Sequence, residues 1–165
     1  MSDTNQKLID AYERFAEKTK EFLAESREKT SETFEHAMDQ ARENMEKAGE
    51  ISRSESDRLK AFLKRDMEQT AQDFKNAGEK AQASLNPHNL KSGFFNLVGY
   101  VAKNSSQLME SLAEWAENEV VLHTGEVTGP AVLTCRSCDE VLHFKESGRV
   151  PPCPKCHKTE FQRTG

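Results

Sequence analysis

The chain has 165 residues, which is enough for one ordinary domain or two small ones. Leu, Ile, Val and Phe supply only 31 of the 165 residues, which excludes a thick hydrophobic core, whereas the small net charge of −5 leaves a thin amphipathic core feasible. The mild acidic excess also disfavours a general nucleic-acid coat protein, because such a protein carries a clear excess of basic residues.

The composition changes sharply along the chain. Ala, Glu, Lys, Leu and Arg make up about half of residues 1–86, which is typical of long or coiled-coil helices. Residues 123–165 hold all four cysteines and four of the five prolines. The sequence therefore predicts a mainly α protein in two parts: a helical hairpin with a third helix over residues 1–122, forming a bundle or coiled coil, and a small β zinc ribbon over residues 123–165.

The first predicted helix covers residues 4–48. Apolar or small side chains recur there every three or four residues, which places one stripe on one helix face. The stripe weakens at Ser26 and Thr30, which makes a local bend or looser packing feasible at that point. Gly49 follows the last stripe residue and suits the left-handed conformation that ends many helices.

Two further helices are predicted after Gly49. Ser52 and Glu55 have the spacing of a capping box, which predicts a second helix over about 53–85 and, because the turn is short, an antiparallel hairpin. A third helix is predicted over about 88–121, where Phe94 and Trp115 are among the apolar positions. The pattern leaves open how this helix packs on the hairpin.

The helical part admits two interpretations. The first is a plain helical bundle or coiled coil, with homo-oligomerisation through the helices as one possibility, since apolar stripes usually form cores. The second is a helix that binds a partner or a lipid surface, because Phe94 and Phe95 are adjacent and cannot both enter one narrow seam. No run approaches the ~20 apolar residues of a membrane-spanning helix, and the N-terminus lacks the pattern of a signal peptide. We therefore expect a cytoplasmic protein without a membrane span.

The four cysteines form the most specific pattern in the chain. Within each pair, two residues separate the cysteines, and 14 residues lie between the two pairs. Four thiolates in two such pairs are typical of a closed tetrahedral site for one structural Zn²⁺. The spacer is long enough for a hairpin in which strand 141–144 turns at Ser147-Gly148 and returns toward Val150, with further strands at 132–134 and 160–163. The predicted ligands are Cys135, Cys138, Cys153 and Cys156.

Other uses of the cysteines stay open at this stage. Disulfides would require an oxidising compartment, and an iron site of the rubredoxin type, with electron transfer as its function, is also compatible with four sulfurs. His143 and His157 lie close to the cysteines but are interpreted as bystanders, because four thiolates already complete the coordination. His157 follows the last cysteine, where a positive φ is expected and His is tolerated better than most residues. The sequence has no recognisable catalytic constellation, so it predicts a protein that is not an enzyme.

Two functional hypotheses follow from these features. The first is an interaction or adaptor protein whose ribbon docks a protein partner. The second is an accessory of RNA, the ribosome or the transcription machinery, because the ribbon has six basic residues and two aromatic ones, Phe144 and Phe161. Five acidic residues are interleaved with the basic ones, which favours the simpler interpretation that Phe161 packs on the zinc core and the charges keep the ribbon soluble.

The chain resembles an uncharacterised bacterial family of zinc-ribbon proteins with an N-terminal helical region, the YbeL-like family. The resemblance is carried by the two cysteine pairs, by segments 123–127 and 161–163, and upstream by segments 49–50 and 64–68. It implies a cytoplasmic two-part protein whose zinc is held by the four cysteines. Members of the family typically have Gly after the last cysteine, where this chain has His157. The resemblance implies no activity.

Overall fold

The computed structural model describes residues 2–77, 92–117 and 119–164. It confirms the predicted fold class, because the described helices precede a small antiparallel β region that contains the four cysteines. Contacts between residues divide the chain into two units. One unit is Asp10–Ala116, and the other combines Met1–Ile9 with Glu117–Gly165. The helices of the described residues are α1 (Ser2–Glu25), α2 (Ser31–Lys47), α3 (Arg53–Ala77), α4 (Gly93–Asn104) and α5 (Ser106–Trp115).

The predicted single helix over 4–48 is wrong, because residues 26–30 interrupt it. The Lys29 ammonium donates to the last carbonyl groups of α1, including Leu23 O at 2.7 Å. Thr30 then caps α2: its hydroxyl accepts from the Thr33 amide at 3.2 Å, and the Thr33 hydroxyl accepts from the Thr30 amide at 2.8 Å. These side chains satisfy the free backbone groups of both helix ends, so the chain can stop and restart where the apolar stripe is weakest.

The predicted antiparallel hairpin is formed by α2 and α3. Gly49 has φ +72°, as expected for a glycine after a helix end, and the Ser52 hydroxyl accepts from the Glu55 amide at 3.2 Å. Ion pairs run antiparallel along the two helices, since Lys60 contacts Asp39 at 2.8 Å and Lys64 contacts Glu35 at 2.6 Å. The structure follows α3 to Ala77, and the predicted remainder to residue 85 lies outside the described residues.

The predicted third helix over 88–121 is also wrong as a single element. Ser105 interrupts it: its hydroxyl accepts from the Leu108 amide at 3.0 Å, which caps α5, and donates to the Lys29 carbonyl at 3.1 Å. Helix α5 ends at Trp115, which is 46% exposed and lies under the Lys64 ammonium instead of packing in the core. Val121 belongs to a strand that pairs it with Gln162, and its neighbour Leu122 is buried in the ribbon. Residues 88–91 lie outside the described part.

Few large side chains form the core of the helical unit, but they are fully buried. Helix α1 reaches α3 through the Tyr12 hydroxyl, which donates to the Asp66 carboxylate at 2.5 Å, and Arg65 Nε lies 2.9 Å from the same carboxylate. Gly93 at the start of α4 lies directly against the α1 backbone at Glu13. The largest buried side chains are Tyr12, Phe15, Leu23, Phe34, Met38, Met45, Leu59, Leu63, Met67, Phe94 and Leu97.

The ribbon contains two antiparallel sheets within residues 119–164. The strands are β1 (Val121–His123), β2 (Val127–Thr128), β3 (Ala131–Cys135), β4 (Val141–Phe144), β5 (Gly148–Arg149) and β6 (Glu160–Arg163). The larger sheet has the strand order β1-β6-β3-β4, and the smaller pairs β2 with β5. The predicted return of strand 141–144 toward Val150 is therefore wrong: β4 pairs with β3, whereas Val150 exchanges backbone hydrogen bonds with Gly125 and Glu126. This pairing buries Val150 and Val127.

Among the helices of the described segments, none combines the length and the apolar character that crossing a membrane requires.

Candidate metal centre

The first cysteine pair lies on a tight turn at the end of β3. Cys135 is the last residue of the strand, and its amide donates to the Glu140 carbonyl at 2.8 Å. The Asp139 amide donates back to the Cys135 carbonyl at 3.0 Å, which closes the turn and brings Cys138 next to Cys135. The Ser137 amide points at the Cys135 sulfur at 3.4 Å. The backbone thus orients both side chains and offers an N–H group to a thiolate.

The second pair has the same backbone pattern. The Cys153 amide donates to the Lys158 carbonyl at 2.9 Å, and the His157 amide donates to the Cys153 carbonyl at 2.9 Å. His157 has φ +64°, which confirms the predicted positive φ after the last cysteine. Asp139, at the equivalent place after Cys138, also has φ +64°. The positive φ of Asp139 was not predicted, although this residue follows a cysteine pair and Asp tolerates the left-handed region better than most residues.

The two turns bring the four sulfur atoms together. Each Sγ lies within 4.8 Å of the other three, and Cys135 to Cys156 and Cys138 to Cys153 are both separated by 3.6 Å. A tetrahedron with Zn–S bonds of about 2.3 Å has its sulfurs about 3.8 Å apart. All four cysteines are free thiols, without a disulfide. The arrangement therefore fits one tetrahedral metal ion with four sulfur ligands.

The sulfur cluster is continuous with the core of the ribbon. Cys135 and Cys153 are fully buried, and Cys138 and Cys156 are half-buried. Phe161 is fully buried against this cluster, as predicted from the sequence. The other buried members are Val120, Leu122, Ala131, Leu133 and Val150. A bound ion would thus be held by two sulfur ligands from the buried core and two from half-buried residues.

Backbone amides lower the pKa values of the thiols and burial raises them, whereas the neighbouring thiols raise the pKa of Cys138 and lower that of Cys153. The Cys156 and Lys155 amides lower the pKa of Cys153 to about 7, although burial opposes this. The Glu140 amide lowers the pKa of Cys138, but burial and the thiols of the other three cysteines outweigh it and raise that pKa to about 12. The pKa of Cys156 is also raised, since burial and the Cys135 thiol outweigh the Lys158 amide. Four thiols at this separation cannot all ionise without a cation, which is the electrostatic condition that a divalent metal satisfies.

The remaining candidate residues of the ribbon lie on its surface. His143 and His157 are exposed and are outside the group of four cysteines that could hold a metal in the described part of the chain. Arg136 lies 3.5 Å from the Glu160 carboxylate, and Arg149 Nε donates to the Gly125 carbonyl at 3.0 Å. Acidic and backbone partners therefore engage Arg136 and Arg149, which belong to the basic set of the ribbon.

Comparisons with known proteins agree with this geometry. A family described as "Zinc-ribbon containing domain" matches residues 21–165. The chain is 26% identical over 126 residues to "Uncharacterized protein YbeL" of Escherichia coli strain K12, which covers 76% of this chain and 79% of that protein. The YbeL proteins of the Escherichia coli strains O6:H1 and O157:H7 match with the same identity and coverage. No solved structure matches.

Proposed function

The chain belongs to the zinc-ribbon family that includes YbeL, and we propose that its four thiolates hold one structural zinc ion per chain. We also propose that the ribbon docks a macromolecular partner in the cytoplasm and that the protein is not an enzyme. The four sulfurs, each within 4.8 Å of the others, are the observation that carries the proposal. The proposed ligands are Cys135, Cys138, Cys153 and Cys156.

The donor set supports a structural ion. Four protein sulfurs fill a tetrahedral shell, so no coordination position is left for a substrate or an activated water. When bound, zinc contributes Lewis-acid charge that neutralises the thiolates. The chain's own residues do the rest: Ser137 and Lys155 direct their amides at Cys135 and Cys153, and the buried side chains around Phe161 shield the sulfurs. The ion thereby links two turns that the sequence separates by 14 residues.

The proposed adaptor role follows from how small the ribbon core is. A ribbon stabilised by metal can keep most of its side chains at the surface, because few are needed inside. Exposed residues of the second turn, including Lys155 and Lys158, and the exposed Val141 are available for contacts. In this role zinc would hold the fold of the ribbon surface and would take no part in a reaction.

Metal analysis of the native protein tests the metal part of the proposal. We expect one zinc per chain by mass spectrometry under non-denaturing conditions and a colourless preparation. A coloured protein with a visible sulfur-to-iron absorption would instead support an iron site and electron transfer. Protein without metal but with two disulfides would contradict the proposal.

Partner capture from a bacterial lysate tests the docking part. The zinc-loaded protein is expected to retain a partner that the chelated protein loses, because chelation removes the docking surface. Ser137→Ala serves as the matched control, since it leaves all four sulfurs in place. A partner that chelated and loaded protein retain equally would show that docking does not use the ribbon.

Contact with nucleic acid is a second candidate, favoured by one observation. The second cysteine turn carries Lys155, His157 and Lys158, all exposed, whereas the first turn carries Arg136 together with Asp139 and Glu140. Titration with RNA and DNA at two salt concentrations tests it, because phosphate contacts weaken as salt rises. Binding that Lys155→Glu with Lys158→Glu abolishes would support this candidate, and no binding at low salt would contradict it.

A further inference from the structure

The four sulfurs of the metal centre differ in their exposure, and each turn carries one sulfur of each kind. The first cysteine of each pair, Cys135 or Cys153, is fully buried. The second cysteine of each pair, Cys138 or Cys156, is half-buried. Peroxides oxidise thiolates in proportion to how exposed they are. A dissolved oxidant therefore meets the second cysteine of each turn before the first.

Each half-buried sulfur lies next to a buried sulfur of the other turn. The Cys138 Sγ is 3.6 Å from the Cys153 Sγ, and the Cys156 Sγ is 3.6 Å from the Cys135 Sγ. A sulfenic acid condenses with a thiol by direct attack of the thiol sulfur on the oxidised sulfur. Sulfurs in contact at this distance are placed for that step.

We propose that hydrogen peroxide converts this centre to two disulfides, Cys138–Cys153 and Cys135–Cys156, and thereby releases the ion, which presupposes the zinc site proposed above. Peroxide transfers one oxygen atom to a half-buried thiolate, giving a sulfenic acid and hydroxide. The buried sulfur of the other turn then forms the S–S bond, and the sulfenic oxygen leaves as water. For both pairs, four thiolates, two peroxide molecules and four protons give two disulfides and four water molecules. Zinc then has no thiolate ligand left.

Both disulfides join the two turns that the metal would join. The Cys138–Cys153 loop lies inside the Cys135–Cys156 loop and contains β4 and β5. A disulfide inside either pair would enclose only two residues and would leave the turns unconnected. Because a covalent link between distant segments restricts the unfolded chain, the cross-linked ribbon should stay folded without its ion. Peroxide thus exchanges a zinc-bound form of the ribbon for a zinc-free form of the same fold.

Peptide mapping after peroxide treatment tests the pairing. Trypsin cuts after Arg136 and Lys155, so it places the two cysteines of each pair on different peptides. The zinc content of the full chain is measured first, two equivalents of hydrogen peroxide are added, and a colorimetric chelator follows the released zinc against an untreated sample. We expect loss of the one zinc per chain and linked peptides that join Cys138 to Cys153 and Cys135 to Cys156. A thiol reductant with added zinc should restore the starting content.

A single substitution separates the two pairing schemes. Oxidised Cys138→Ser should carry a Cys135–Cys156 disulfide and a free Cys153 thiol, whereas pairing inside a turn would join Cys153 to Cys156. Ser137→Ala keeps all four sulfurs and should give both disulfides of the unaltered chain. Mapping of the unaltered chain decides the pairing if Cys138→Ser does not fold.

Amide spectra test whether the oxidised ribbon stays folded. Signals of residues 119–164 should remain dispersed in the oxidised zinc-free chain and collapse in the reduced chelated chain. Zinc that peroxide leaves bound, disulfides inside the turns, or sulfinic acids in place of disulfides would overturn the proposed oxidation and leave the zinc site standing. A native chain without zinc would contradict the proposed function, and the predicted zinc release would fall with it.

Discussion

The helical unit from Asp10 to Ala116 buries its large side chains against one another, whereas the core of the ribbon is a cluster of eight buried residues that includes Cys135 and Cys153. Among the described residues of the helical unit, Phe, Leu and Met side chains of the helices form the interior together with the buried polar pair of Tyr12 and Asp66. In the ribbon, sulfur replaces part of the hydrocarbon. The difference shows two ways in which a chain with few large apolar residues can fold: narrow helix stripes in one unit, and in the other a small core in which cysteine side chains take part.

The largest predicted effect comes from removing one sulfur. Cys153→Ser leaves three proposed ligands, and since zinc binding in small sites contributes about 10–16 kcal/mol of folding free energy, the ribbon should lose its structure and its zinc. Zinc content and the proteolysis rate of residues 117–164 measure this, with Ser137→Ala as the control. If the Cys153→Ser ribbon kept zinc and resisted protease, the metal would not be what holds this unit together.

The next effect belongs to the helical unit alone. A Cβ atom at Gly93 would collide with the Glu13 carbonyl oxygen and lie 2.9 Å from the carbonyl carbon, so Gly93→Ala must push α4 away from α1. We expect the free energy of unfolding of the helices to fall by about 3 kcal/mol, measured by chemical denaturation followed by circular dichroism.

Gly99→Ala in the same helix is the matched control. A Cβ atom there meets nothing within 4 Å, so this variant should be neutral or more stable by up to about 1 kcal/mol. Neither variant should change zinc content. Equal destabilisation by both substitutions would contradict the close approach of α1 and α4.

The buried polar pair gives a smaller effect. Burial raises the pKa of Tyr12 well above its ordinary value of 10.0, and the Asp66 carboxylate raises it further, so Tyr12 remains a hydrogen-bond donor over the ordinary pH range. Tyr12→Phe removes that donor and leaves the Asp66 carboxylate with its remaining partners, including Arg65. The free energy of unfolding should fall by about 1–3 kcal/mol. Tyr100→Phe is the control, because it removes a hydroxyl from a half-buried ring and should lower the free energy of unfolding only a little. Phe15→Tyr would be unsuitable, since it adds a buried hydroxyl.

The smallest predicted effect is a slower loss of zinc from the ribbon. His157 has φ +64°, which costs a residue with a Cβ atom about 1 kcal/mol more than glycine. His157→Gly should therefore slow the loss of zinc to a chelator by a few-fold, and His157→Val should speed it. A faster loss from the glycine variant would mean that the His157 side chain itself supports the site.

The sequence predicted features that depend on local chemistry. The cysteine spacing predicted the sulfur cluster, and the positions of Gly49 and His157 predicted their positive φ values. The helix interruptions at 26–30 and at Ser105 were missed or underestimated, because they depend on side chains that cap free backbone groups, which the spacing of apolar residues does not show. Ser105 also bonds to Lys29, a contact 76 residues away in the chain.

Pairings between distant segments were the least predictable. The spacing between the cysteine pairs suggested a local hairpin from strand 141–144 back to Val150, but Val150 pairs with Gly125 and Glu126 instead. Trp115 was counted among the apolar positions of the third predicted helix, yet α5 ends at that residue and its ring is half-exposed under Lys64. Hydrophobic periodicity indicates which face of a helix is apolar, but not where the packed interface ends.

Chelation followed residue by residue is the most direct test of the central claim that the metal holds only the ribbon. We would record amide spectra of the zinc-loaded protein before and after a strong chelator removes the ion. The account predicts that signals of residues 117–164 collapse to unfolded positions while those of α2 to α5 and the helical circular dichroism persist. Loss of the helical signals together with those of the ribbon would contradict it, because the two units would then fold as one.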